Sequence, residues 1–181
     1  MNSVQEHIEP SILRVLPEAV SALAEISRTT FYETFIAGND EQNMQQYLSD
    51  AFSELRLIEE LALETSEFYF AIFQGNHDGY LKLNTDSNTG LEIERIYVRS
   101  QAHRKGIGKA LMQFALNKAR EKGLNRVWLG VAPDNIPAMD FYQSFGFNIC
   151  GEKIFILGNE MQKDLMMEHF VASMSNSASV H

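Results

Sequence analysis

The stretch VRSQAHRKGIGKALMQFALNKAREKG, residues 98–123, decides how this chain folds. An apolar strand, LEIERIYV (residues 91–98), runs into it. Beyond the two glycines, Ile107, Ala110, Leu111, Phe114, Ala115 and Ala119 recur at helical spacing, which predicts an amphipathic helix from about Lys105 to Lys122 packed on a sheet. The first turn of such a helix leaves backbone N–H groups without partners inside the helix. Gly106 and Gly108 remove side chains where a ligand would approach that backbone. Arg104, Lys105 and Lys109 add positive charge at the positive end of the helix dipole. A pyrophosphate satisfies all of these features together. The plain alternative is a helix that merely begins at two glycines, with solvated cations around it.

Two nucleotide motifs fail here. A dinucleotide fingerprint needs a third glycine where Leu111 stands, and a Walker loop needs Ser or Thr where Ala110 follows Lys109.

The 181-residue chain is long enough for one domain with a real core. Its formal net charge of −9 argues against a nucleic-acid binder and is compatible with a cationic small substrate. Cys150 is the one cysteine, so no disulfide forms within the chain and a reducing compartment is expected. The N-terminal MNSVQEHIEP has no signal pattern, and no apolar run approaches the roughly 18 residues that span a bilayer. The expectation is a cytoplasmic protein that avoids membranes. His7, His77, His103, His169 and His181 are scattered, with no metal-ligand spacing among them or with Cys150, so no metal is expected.

Periodicity then orders the chain. SILRV is a short strand, Pro17 opens a helix through Phe35, and Met44, Tyr47, Leu48, Ala51, Phe52 and Leu55 mark a second. From Phe68 the period changes. FYFAIFQ and YLKLN form a hairpin about a GNHDG turn, and LEIERIYV follows TDSNTG as a third strand. After the long helix come the strand RVWLGV, a short helix IPAMDFYQSF, and the strand pair FNICGEKIFIL and EMQKDLMMEHF. Residues 1–171 read as a single domain and residues 172–181 as a disordered tail. The layout is mixed α/β, an antiparallel meander joined to a strand–helix–strand crossover.

HRKGIGKAL resembles the pyrophosphate loop of the GNAT superfamily of acetyl-CoA-dependent N-acetyltransferases, Gln/Arg-x-x-Gly-x-Gly/Ala, with His103 in the first position. NIPAMDFYQSFGF resembles the second signature of that superfamily through Asn135, Ala138, Tyr142, Gly146 and Phe147. The resemblance runs from about Ser11 to Phe170. It implies a GNAT fold: a mixed, mostly antiparallel sheet of about seven strands, flanked by helices, in which strands 4 and 5 splay apart. It also implies acetyl-CoA as co-substrate, with the main chain of Ile96, Tyr97 and Val98 and residues 103–109 (His103, Arg104, Lys105, Gly106, Ile107, Gly108 and Lys109) around it, joined by Asn135, Phe141 and Tyr142.

The strand before the loop carries its own clue. Leu91 and Ile93 are two apart, but Ile96 follows after three and Val98 after two more. One extra residue near Glu94–Arg95 would return all four to the core face, as a β-bulge does; a strand buried on both faces is the equal alternative. The resemblance implies the bulge, with a freed N–H aimed at the thioester carbonyl. Glu92 and Glu94 flank it and could take the proton that an amine must lose before attack, although strand glutamates often only face solvent. Tyr142 falls where family members use a phenol as general acid, but Phe141, Phe145 and Phe147 equally suggest a packed core tyrosine. Asn135 could equally cap the helix before Pro137. Cys150 has no histidine partner, so direct amine attack in a ternary complex is expected.

The segment FYETFIAGNDEQNMQQYLSDAF resembles PaiA-type spermidine/spermine acetyltransferases. Tyr32, Glu33 and Phe35 could hold an alkylammonium by charge and aromatic faces, or Phe35 could be core. The expected partner is a small amine, with a homodimer left open. A GNAT-fold regulator without turnover and a peptide N-acetyltransferase are the alternatives.

Overall fold

The computed structural model describes residues 9–172. Residues 1–8, and residues 173–181 of the tail expected over 172–181, lie outside the described residues. One seven-stranded sheet, ordered β1-β2-β3-β4-β5-β7-β6, organises the chain. The strands are β1 (Ser11–Arg14), β2 (Ser66–Phe73), β3 (Asn76–Asp86), β4 (Gly90–Val98), β5 (Arg126–Val131), β6 (Asn148–Leu157) and β7 (Glu160–Phe170). Neighbours are antiparallel except β4 and β5. The crossover between those two carries α4 (Ile107–Glu121).

The sheet buries both faces. On one, α4 and α5 (Ile136–Ser144) cover Leu83, Leu91, Ile93, Val127, Leu129 and Met167. On the other, α1 (Val20–Phe35), α2 (Glu41–Ala51) and α3 (Glu54–Leu61) cover Phe68, Phe70 and Tyr80. Alternation along β3 sends Tyr80 to the second face and Leu81 to the first, as the period of two requires.

Three helices precede β2 where the apolar spacing suggested two. The pattern Met44, Leu48, Phe52, Leu55 reads through a break at Phe52–Ser53. Ser53 leaves the helix with extended backbone, and its hydroxyl accepts from the Arg56 amide at 3.3 Å, restarting the chain as α3 on a new axis. Leu55 therefore ends 71% exposed, and Leu57 is buried in its stead. The long helix starts at Ile107 rather than Lys105, because residues 103–106 form a turn. The first hairpin is tighter than GNHDG suggested: Gln74 and Gly75 alone turn it, both at positive φ, and β3 resumes at Asn76.

The bulge is present. Lys82 pairs with Arg95 and Leu83 with Ile93, which leaves Glu94 as the extra residue. Leu91, Ile93, Ile96 and Val98 consequently all pack toward the α4 side. Parallel pairing of β4 with β5 stops at Ile93–Leu129, and the two strands diverge from there.

A buried ionic cluster pins the bulge on its opposite face. Lys82 Nζ lies 2.9 Å from Glu60 and 2.7 Å from Glu94, and Arg95 bridges the same two carboxylates at 3.0 and 3.3 Å. Burial pushes the Glu94 carboxyl up, but Arg95 and Lys82 pull it further down, so its pKa falls below the ordinary 4.5. A depressed carboxylate stabilises the fold above its unfolded pKa, and that contribution is lost as pH falls through the folded value.

Lys82→Met, which removes the most deeply buried cation from Glu60 and Glu94, is expected to cost about 3 kcal/mol in urea unfolding at neutral pH. Ser53→Ala is expected to cost about 1 kcal/mol in the same measurement.

Candidate active site

The divergence of β4 from β5 opens a cavity of about 1000 Å³ that reaches from the turn before α4, between the strands, to the inner surface of α1. Every residue singled out from the sequence lines it except Tyr32 and Lys105. Tyr32 instead donates its hydroxyl to Glu41 at 3.1 Å. The Lys105 ammonium lies over the Phe73 ring, 5.6 Å from its centroid.

At one end, Arg104 and Gly106 both adopt positive φ, 65° and 80°, folding the backbone into a cup just before α4. No atom lies within 4 Å of where a Cβ on Gly106 would stand, so the cup is open. A Cβ on Gly108 would meet the Phe141 ring at 3.6 Å, which makes that ring the opposite wall. Lys109 flanks the cup on α4. His103 turns back: its Nε2 donates to the Val98 carbonyl at 2.9 Å and clasps the turn to the end of β4.

From Glu94 to Val98, the β5-side edge of β4 has no strand partner. Ile96 and Val98 line the gap on the α4 side. Tyr97 points to the other face, its ring 5.8 Å from Tyr80. Tyr142 stands on α5 at the gap with its ring 5.6 Å from Phe141. Burial pushes its phenol up to about 12, so the hydroxyl stays protonated at every physiological pH. Asn135 is the cap of α5, accepting from the Ala138 amide at 3.3 Å while its side lines the cavity.

The two candidate bases differ in their surroundings. Glu94 is committed to Lys82, Arg95 and Asn84. Glu92 accepts from Asn84 Nδ2 at 3.0 Å and, among the described residues, otherwise meets only Lys153 Nζ, at 3.5 Å. On α1, the Glu33 carboxylate already accepts the Ser100 amide at 2.9 Å, tying the helix to the segment that follows β4. Phe35 packs against Phe31 with tilted rings, centroids 4.5 Å apart, and forms part of the inner wall. Of the proposed amine-holding trio, Phe35 faces the space, Glu33 is engaged, and Tyr32 faces away.

Sequence reasoning missed the far wall, built by Gly130 of β5, Lys153 and Phe155 of β6, and Asp164 of β7. No local pattern marks them, because only the β5-β7-β6 register brings them together. A second cavity of about 790 Å³ continues beneath α2 and α3, sharing Tyr47, Glu92, Glu94, Arg95 and Phe155 with the first. Asp50, Glu60, Asp86, Glu92 and Glu94 line it against Arg56, Lys82 and Arg95.

Residues 22–147 match the family model described as Acetyltransferase (GNAT) family. An uncharacterised N-acetyltransferase of Lactobacillus delbrueckii subsp. lactis is 39% identical over 160 residues, covering 84% of this chain and 90% of that protein. A spermidine N(1)-acetyltransferase of Thermoplasma acidophilum is 24% identical over 136 residues, covering 73% of this chain and 84% of its own. Among solved structures, the PaiA N-acetyltransferase of Thermoplasma acidophilum in complex with coenzyme A superposes with a TM-score of 0.77 at 21% identity, covering 91% of this chain and all of that one. A glycine-bearing cup at the start of α4, a bulged strand and a gap between diverging parallel strands, joined to a family match over most of the sequence, have one outcome: this chain belongs to the GNAT family of acetyltransferases.

Proposed function

We propose that the protein moves the acetyl group of acetyl-CoA to a primary amine of a small cationic acceptor, with polyamines such as spermidine as the substrate class. The observation that carries this reading is the end of β4–β5 pairing at Ile93–Leu129, in one cavity with the open cup at Gly106. The residues fit the co-substrate: an uncovered set of helix-start amides with Arg104 and Lys109 suits a diphosphate, and an unpaired β4 edge suits an amide-bearing arm. When bound, acetyl-CoA supplies an activated acyl group.

The chain's residues supply the rest. An alkylammonium, with a pKa of about 10.4, must shed a proton before it can attack. Glu92 is the base we assign, because its carboxylate lacks the pair of close cations that hold Glu94 ionised and weakly basic. The Tyr142 hydroxyl, protonated up to about 12, holds a proton to give to a departing thiolate. The acid-rich second cavity continues from Glu92 and offers space and carboxylates to the remaining ammonium groups of an elongated polycation. The spermidine acetyltransferase relative is consistent with that substrate class.

Thiol release from acetyl-CoA across a panel of amines and peptides tests the reading. Spermidine is expected to lead. Faster turnover of peptides would make the protein a peptide acetyltransferase, and coenzyme-dependent thermal stabilisation without thiol release would make it a binding protein.

Gly106→Glu places bulk and negative charge in the cup and is expected to weaken coenzyme A binding by about 100-fold or more in a calorimetric titration. Tyr142→Phe is expected to lower kcat by about 100-fold with coenzyme affinity unchanged. An unaltered rate would return Tyr142 to a packing role.

A further inference from the structure

Three cations beside the start of the β4–β5 gap are fully engaged. Lys82 and Arg95 sit in the carboxylate cluster, and Arg126 is held by Glu168 at 2.6 Å and by the Thr89 carbonyl at 2.8 Å. Lys153 is different. Among the described residues its ammonium has a single carboxylate contact, Glu92 at 3.5 Å, and its side chain is 33% exposed. It lies 5.5 Å from the centroid of the Trp128 ring. The stem crosses β5 at Gly130, where a β-carbon would stand 2.4 Å from Lys153 Cε and 3.0 Å from Nζ. Asp164, directly opposite Lys153 in the β6–β7 register, lines the same cavity.

An aromatic face, the Glu92 carboxylate and a glycine shelf thus meet the end of a four-carbon chain that bears a primary ammonium, and Asp164 lines the same cavity. This is the chemistry that recognises an alkylammonium, and its occupant is the chain's own side chain. The geometry points to Lys153 as a tethered occupant of the acceptor-ammonium subsite, which an incoming primary alkylamine must displace. The inference rests on the proposed function, in that it takes the acceptor to approach Glu92 from this face. Lys153 then sets acceptor affinity: an amine that cannot replace its contacts with Glu92 and Trp128 is excluded, and one that can gains them at the expense of a weakly held competitor.

The test needs no coenzyme. Butylamine and 1,4-diaminobutane are titrated calorimetrically near neutral pH into the wild-type protein, Lys153→Met, Gly130→Ala and Trp128→Leu, each first checked for a cooperative thermal transition. Lys153→Met is expected to bind the amines about tenfold tighter, and Trp128→Leu about tenfold weaker. Gly130→Ala evicts the Lys153 ammonium without removing its charge, so tighter binding there separates a freed subsite from a simple gain in negative potential. Unchanged or weaker binding in both Lys153→Met and Gly130→Ala overturns the inference. Thiol release is scored separately. Turnover of amines with these affinities unchanged sinks only the subsite, whereas altered affinities without turnover of any amine sink the transferase reading and leave the subsite standing.

Discussion

One unpaired strand edge organises this molecule. Parallel strands ordinarily zip along their whole length, yet β4 and β5 share three residues and separate. The cause is local: Glu94 is inserted opposite a continuous β3, and the added residue bends β4 and increases its twist. Backbone groups in a sheet interior that lose a strand partner must find another or remain costly. Here those groups face a cavity instead of a neighbouring strand.

Keeping that edge open has its own cost, met on the opposite face. Lys82, Arg95, Glu60 and Glu94 are charged groups largely removed from water, and such clusters seldom stabilise more than a well-packed apolar core would. Their geometry does something an apolar core would not. Glu94 is fixed by two cations attached to two strands and by Asn84, so the bulge stays in a single register. The same engagement divides Glu94, held by two cations, from Glu92 two residues earlier, whose carboxylate meets Asn84 and Lys153.

That division could not be read from the chain alone. Period-based reading located β5 and β7 to the residue and the bulge to within one position, because these features depend on local alternation and a strand–turn–helix boundary. It ran α2 into α3 because Phe52 and Leu55 continue an apolar stripe, and only Ser53's cap reveals the break. It placed Glu33 and Tyr32 at the acceptor, whereas the first is held by the Ser100 amide and the second by Glu41. It passed over Trp128, Gly130, Lys153 and Asp164 entirely. These lie on three strands whose adjacency is set by a β7 that inserts between β5 and β6, a topological fact with no local signature.

The clasp between His103 and the Val98 carbonyl carries a last implication. A carbonyl oxygen can only accept, so Nε2 must bear the hydrogen. One ring nitrogen of the loop's first residue is thus spent on its own strand, so the turn before α4 is fastened to the end of β4 by a side chain as well as by the main chain. The backbone there takes its shape from the protein itself, before anything enters the cavity.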